Sequence, residues 1–189
     1  YYIGRYEASY ASGATSTSEV GDYANCKAAS KISTDFRTYE EDSVSYDPGT
    51  LWNWITQPAA SKVAINTYEE SDSVKSDLMN SYAWDTAIVY IQEAGKANYA
   101  NEIRKHDSLS NTGNLAPGVK DEVCKINDMA SNVREWTTEH SSSAYSSFAY
   151  PCVHRGGSCN SSNNYTASRT SPIAANSRYS IGFRLSLYL

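Results

Sequence analysis

Residues 128–138 read DMASNVREWTT and close a segment of mixed polarity that runs over residues 123–138. Trp136 is expected in the core, because an indole ring is mainly a packing payload. Downstream, residues 154–158 (HRGGS) set two glycines in succession, which predicts a tight backbone path that a side chain would block. The chain closes with IGFRLSLYL over residues 181–189. There Ile181, Phe183, Leu185, Leu187 and Leu189 alternate with Gly182, Arg184, Ser186 and Tyr188. That period of two predicts a half-buried terminal strand with Phe183 and Leu185 in the core.

Upstream of the opening quotation two helices are legible. One follows Thr56-Gln57-Pro58, with Thr56 as N-cap, and runs to about Glu70 with Ala60, Val63, Ala64 and Thr67 at helical spacing. The other is predicted to be capped by Ser81 and ended by Gly95. Its Trp84, Ala87, Ile88 and Ile91 form one apolar stripe. The opening residues 2–8 (YIGRYEA) read as a strand, and residues 9–50 as long irregular structure with a turn at Asp47-Pro48-Gly49. Residues 96–120 are polar, with Asn-Thr-Gly and Ala-Pro-Gly turns.

Five segments, in order, resemble the formylglycine-generating-enzyme (sulfatase-modifying-factor) family. YYIGRYEAS at the start is similar to that family's early "fyig-yEvt" strand. Residues 78–87 (LMNSYAWDTA) resemble its "RLPTEAEWEyA" helix, with Trp84 on the tryptophan. DMASNVREWTT resembles "DMaGNVWEWt", the most specific of the five; HRGGS resembles "lRGGSw", and IGFR the closing "GFR". The resemblance implies an elaborated C-type lectin fold over residues 1–189: one α+β domain with two helices, small antiparallel sheets and high loop content. It also implies that Arg155 and Arg184, which sit in shared motifs, belong to the scaffold.

Members of that family with oxidase activity hold copper on two cysteines between the RGGS and GFR motifs. This chain has only Cys159 between Ser158 and Gly182, and Cu(I) wants thiolate ligands that Ser or Asn cannot replace. A related branch holds iron on three histidines, but His106, His140 and His154 show no ligand spacing. The chain is therefore expected not to be an enzyme, with an oxidase of that type as an alternative. The family's GNVWEW segment also supplies oxygen ligands to calcium in some members. Asn132 and Glu135 match those positions, which makes a structural calcium the one cofactor to consider. Against it, Ser131 stands for the glycine and Arg134 for the middle tryptophan.

Composition narrows the function further. The 189 residues carry a net charge of −5, which argues against nucleic acid as partner. No stretch approaches the ~18 apolar residues of a membrane span. The abrupt start at Tyr1 leads us to expect a missing N-terminal segment and membership of a larger chain or assembly. The four cysteines form no metal-like pattern; Cys152 and Cys159 are open to bridging or to remaining free thiols. Sequons at Asn160 and Asn164 matter only in a eukaryotic secretory pathway.

Charge and composition change together near residue 140. Residues 1–139 hold twelve Lys/Arg against 21 Asp/Glu, a net −9, whereas residues 140–189 hold four Arg and no acid, a net +4. The first part contains 8 Lys, 11 Glu, 2 Gln, 4 Trp and 2 Met; the last fifty residues contain none of the five. A codon ending in a pyrimidine encodes every amino acid except those five. Randomising the adenines of AAY asparagine codons would leave this signature. Diversity-generating retroelements do so at the C-terminal ends of their variable proteins, which use C-type-lectin folds, and the tail resembles that arrangement over residues 140–184.

Such a tail is suited to contact. Tyr145, Phe148, Tyr150, Tyr165 and Tyr179 offer rigid amphipathic area. Ser142, Ser147, Asn160, Ser162, Asn163, Asn164, Ser171 and Asn176 supply adaptable hydrogen bonds. His154, Cys159 and Ile173 complete the expected contact set. The expectation is a non-catalytic receptor-recognition protein of a phage tail or bacterial surface, extracellular, binding a host-surface protein or glycan. An invariant adhesin or tail structural domain is the alternative.

Overall fold

The computed structural model describes residues 1–11, 14–15, 23, 25–33, 35–37, 45–103, 121–141, 152–159 and 164–189. In chain order, β1 (Tyr2–Ile3), β2 (Ala8–Tyr10), β3 (Ala14–Thr15), β4 (Ala28–Ser30) and β5 (Ser45–Tyr46) precede α1 (Gln57–Thr67), β6 (Lys75–Leu78) and α2 (Ser81–Glu93). A short 3-10 turn (Tyr99–Asn101) follows. Then come β7 (Glu122–Val123), β8 (Ile126–Asn127), β9 (Arg134–His140), β10 (Cys152–Arg155), β11 (Arg169–Thr170), β12 (Ile181–Phe183) and β13 (Leu185–Tyr188).

Two sheets organise these pieces. One has the order β1-β13-β6 and joins the two ends of the described chain, with Tyr2 opposite Leu187. The other has the order β11-β10-β9-β12. Its β12–β9 pair is parallel, Ile181 beside Arg134 and Phe183 beside Trp136, where small antiparallel sheets alone were expected. Three two-stranded ladders, β2-β4, β3-β5 and β7-β8, complete the set.

Both helices form where the sequence places them. Thr56 is the N-cap of α1, with Pro58 in the first turn, but the helix stops at Thr67 rather than near Glu70. The N-cap of α2 is Asn80, not Ser81: its side chain accepts from the Ala83 amide at 2.8 Å. The Ser81 hydroxyl instead donates to the Glu139 carboxylate. Gly95, at φ 105°, ends α2 as predicted.

The core has two main parts. One lies under α1, where Ala59, Ala60, Val63 and Ala64 pack with Trp52, Leu78, Trp136 and Phe183. The other lies under α2, where Trp84, Ala87, Ile88 and Ile91 pack with Met79, Tyr99 and Met129. Trp84, Trp136 and Phe183 are fully buried, the core role the sequence gives them, and Leu185 is buried with them.

Both expected terminal strands are broken in two. The first parts at Gly4, whose amide donates to the Leu185 carbonyl at 2.8 Å and where a Cβ would sit 2.8 Å from Ser30 Oγ. The last parts at Arg184, and its alternation does not make it half-buried. Gly182, Arg184 and Ser186 are buried together with Ile181, Phe183 and Leu185. The polar members of that face are satisfied internally, Ser186 by the Leu78 carbonyl at 3.1 Å.

Candidate ligand-binding surface

The five segments quoted from the sequence converge on one buried framework. Arg184 sits at its centre, with no exposure. Its Nη2 donates to Glu135 Oε1 at 2.7 Å and to the Asn127 carbonyl at 2.6 Å, its Nε to Glu135 Oε2 at 3.0 Å, and its Nη1 to the Gly4 carbonyl at 2.8 Å. Beside it, Glu7 accepts from Asn132 Nδ2 at 2.6 Å and from the Val133 amide at 3.1 Å. The glycine pair lies against the same segment: a Cβ on Gly156 would meet the Met129 carbonyl at 2.7 Å, and one on Gly157 the Ala130 carbonyl at 2.1 Å. The tight path expected from HRGGS is thus real, and Gly156 also has φ +86°.

The two residues weighed for calcium, Asn132 and Glu135, belong to this framework. Asn132 and Glu135 are both fully buried, but the positive charge that Glu135 balances is the Arg184 guanidinium, held by both carboxylate oxygens. The Asn132 Nδ2 donates to Glu7, so only its Oδ1 is of the kind that ligates a hard cation. No group of three or more His, Cys, Asp or Glu placed to hold a metal occurs among the described residues. Burial, then the Asp128 and Glu135 carboxylates, hold Glu7 well above the usual carboxylate range. Burial also raises Glu135, against the pull of Arg184.

A second ion-pair cluster ties the tail to α2. Arg155, buried, meets the Asp85 carboxylate and lies 3.9 Å from Glu139; Arg169 reaches Glu139 at 3.0 Å and Asp85 at 3.5 Å. Trp84 Nε1 donates to the Thr166 carbonyl at 3.2 Å, and the Gly156 amide to the Ser168 carbonyl at 3.2 Å. Arg155 and Arg184 are both scaffold, as their place in shared motifs implies.

The predicted contact residues divide into three groups. Tyr165 and Ile173 are exposed, at 47% and 42%, and Asn164, Ser171, Asn176 and Tyr179 are half-buried along the same stretch of tail. His154 and Cys159, by contrast, lie inside. The first packs its ring 5.5 Å from that of Trp136, and the second joins Leu51 and Val133 in a small apolar cluster. Neither presents a side chain to a partner: His154 is buried within β10, and Cys159, beyond the strand, is buried in its apolar cluster. Burial, with Arg134 and then Arg178 nearby, holds the His154 imidazole down to about 3. Ser142, Tyr145, Ser147, Phe148, Tyr150, Asn160, Ser162 and Asn163 lie outside the described residues. All four cysteines are free thiols, so Cys152 and Cys159 do not bridge.

The sequence reading missed Trp54 as a neighbour of this tail. Its ring lies 6.2 Å from that of Tyr179, its amide donates to the Arg178 carbonyl at 3.2 Å, and it holds a left-handed φ of 54°. Nothing in its local sequence signals this, since the contact spans more than a hundred residues.

No protein-family model matches the chain, and no curated protein does. Among solved structures it is similar to the crystal structure of CarF, with a TM-score of 0.54 and 13% identity, over 72% of this chain and 66% of that one. Treponema denticola variable protein 1 is also matched, at a TM-score of 0.36 and 20% identity, over 59% of this chain and 47% of that one. The chain therefore spans about two thirds of the first and about half of the second. At such identity the likeness to CarF is one of fold, and with the two helices and small sheets it makes this an α+β chain with a C-type-lectin-like fold.

Proposed function

We propose that this chain is a non-catalytic binding module whose C-terminal surface, within residues 140–184, is the exchangeable contact face of a retroelement-diversified variable protein. One observation carries the reading: the last fifty residues lack Lys, Glu, Gln, Trp and Met together, while the first 139 hold 27 of them. The structure adds support. The motif residues of the tail, Arg155, Gly156, Gly157 and Phe183, are buried, whereas Tyr165 and Ile173 between them are exposed. A rigid frame with exchangeable surface residues keeps the ordering cost of binding low.

The partner is a host-surface protein or glycan, and the setting is a phage tail or a bacterial surface. The formylglycine-generating reaction is not assigned. Cys159 is buried among Leu51 and Val133, and no second cysteine follows it. Sequencing the locus tests the proposal. A near-copy of the codons for residues 141–184, carrying adenines at the differing positions and lying beside a reverse-transcriptase gene, is the expected result. A locus with neither, in cells whose tail codons never vary, would refute it.

A further inference from the structure

Six of the described arginines separate by the partner each one meets. Arg5, Arg155, Arg169 and Arg184 each have a carboxylate partner. Arg134 and Arg178 have none among the described residues. Each meets a neutral amide instead. Arg178 Nε donates to Asn176 Oδ1 at 3.2 Å. The Asn164 amide oxygen, turned toward Arg134, accepts from Nε at 2.7 Å and from Nη2.

The fold brings the two arginines together. Parallel pairing sets Ile181 beside Arg134, whose amide donates to the Ser180 carbonyl at 2.9 Å, and a turn from Arg178 to Ile181 closes at 3.1 Å. Arg134 is half-buried and Arg178 exposed. Burial, followed by the charge of Arg178, lowers the Arg134 pKa against the opposing pull of the Cys159 thiol.

Unsatisfied donors gather at the same place. Trp54 Nε1, Ser177 Oγ and Ser180 Oγ are buried without a hydrogen-bond partner among the described residues. Trp54 also carries the left-handed φ of 54°, which a bulky residue rarely adopts and which persists only where surrounding structure imposes it.

We propose that Arg134 and Arg178, framed by Asn164, Asn176 and the Trp54–Tyr179 pair, form a subsite for a single carboxylate of the bound partner. The inference deepens the proposed function and rests on it for placing the tail against a ligand. A guanidinium fork matches a carboxylate in shape, and both asparagine oxygens are weaker acceptors that an anion would displace. A lone carboxylate fits better than an extended polyanion, which the net −9 of residues 1–139 would repel.

The side-chain Nε–Hε NMR signals of Arg134 and Arg178 report on the subsite. The protein is titrated in parallel with N-acetylglutamate, with glucuronate and with neutral N-acetylglutamine. Saturable shifts with a carboxylate and none with the amide are expected, and the tighter of the two acids identifies an acidic side chain or a uronic sugar as the source. Arg134→Gln should weaken binding about tenfold or more, and Arg178→Gln about fivefold, the second being more exposed. Asn164→Asp, which supplies the missing acid from within, should leave the fold intact and abolish the response. Shifts of equal size with the amide, no saturation with either acid, or wild-type binding by Asn164→Asp would overturn the subsite. Codon variation at the locus is read separately, so either idea can fail without the other.

Discussion

At the scale of single residues, charge placement decides most of what is specific to this chain. Arg184 is the clearest case, since it is buried with four protein oxygens around it. Arg184→Met should cost about 3–5 kcal/mol, because Glu135 is left charged and unpaired in the core; urea unfolding measures it. His154 makes a pH-dependent contribution. Its imidazole is neutral in the folded protein down to about 3, but takes up a proton near 6.5 when unfolded. A depressed folded pKa on a base means that stability falls as pH drops from about 6.5 toward about 3. His154→Leu should remove one proton's worth of that slope, seen as a difference between wild-type and variant unfolding free energies across that window. Tyr165→Ala, at an exposed ring, should leave stability within about 0.5 kcal/mol while weakening capture of the partner. An unfolded Tyr165 variant would contradict the surface role.

At the scale of elements, the helices and the glycine corner were legible, whereas the pairings that make the site were not. Short-range rules suffice for α2: an apolar stripe, a capping side chain and Gly95. Even there local rules place the cap one residue late, because Asn80 and Ser81 are both good caps and it is the long-range acceptor Glu139 that holds the Ser81 hydroxyl. Asn80→Ala should therefore cost about 1 kcal/mol in thermal unfolding, whereas a true Ser81 cap would make Ser81→Ala the costlier change. Gly157→Ala tests the corner between β10 and the 128–138 segment. With the Ala130 carbonyl 2.1 Å from the added Cβ, a loss of about 1–3 kcal/mol is expected. The terminal strand misled for a physical reason: alternation implies one wet face only when the polar members reach water. Arg184 and Ser186 are satisfied by protein oxygens and stay inside. Likewise, His154 and Cys159 look like tail residues in composition, but His154 packs against Trp136 and Cys159 against Leu51 and Val133.

At the scale of the whole molecule, the division of labour follows distance along the chain. The contacts that bind the frame are long-range: Glu7 to Asn132 spans 125 positions and Glu135 to Arg184 spans 49. No local pattern announces such pairs, yet the motifs holding them recur in the resemblance, and for that reason the fold could be read before the site. Exposed tail positions carry no comparable obligations. Of the tail residues expected to make contact, Tyr165 and Ile173 are exposed and Asn164, Ser171, Asn176 and Tyr179 half-buried, while nearby Trp84 donates to the Thr166 carbonyl and Arg169 pairs with Glu139. The most direct measurement is a library that randomises these six codons with a pyrimidine at the third base, sorted for folded protein by protease resistance. Most members should fold as wild type does, while the same treatment of Trp84, Glu135, Trp136 and Arg184 should yield almost none. If the six tail positions prove as intolerant as the four frame positions, the face is part of the core and the account is wrong.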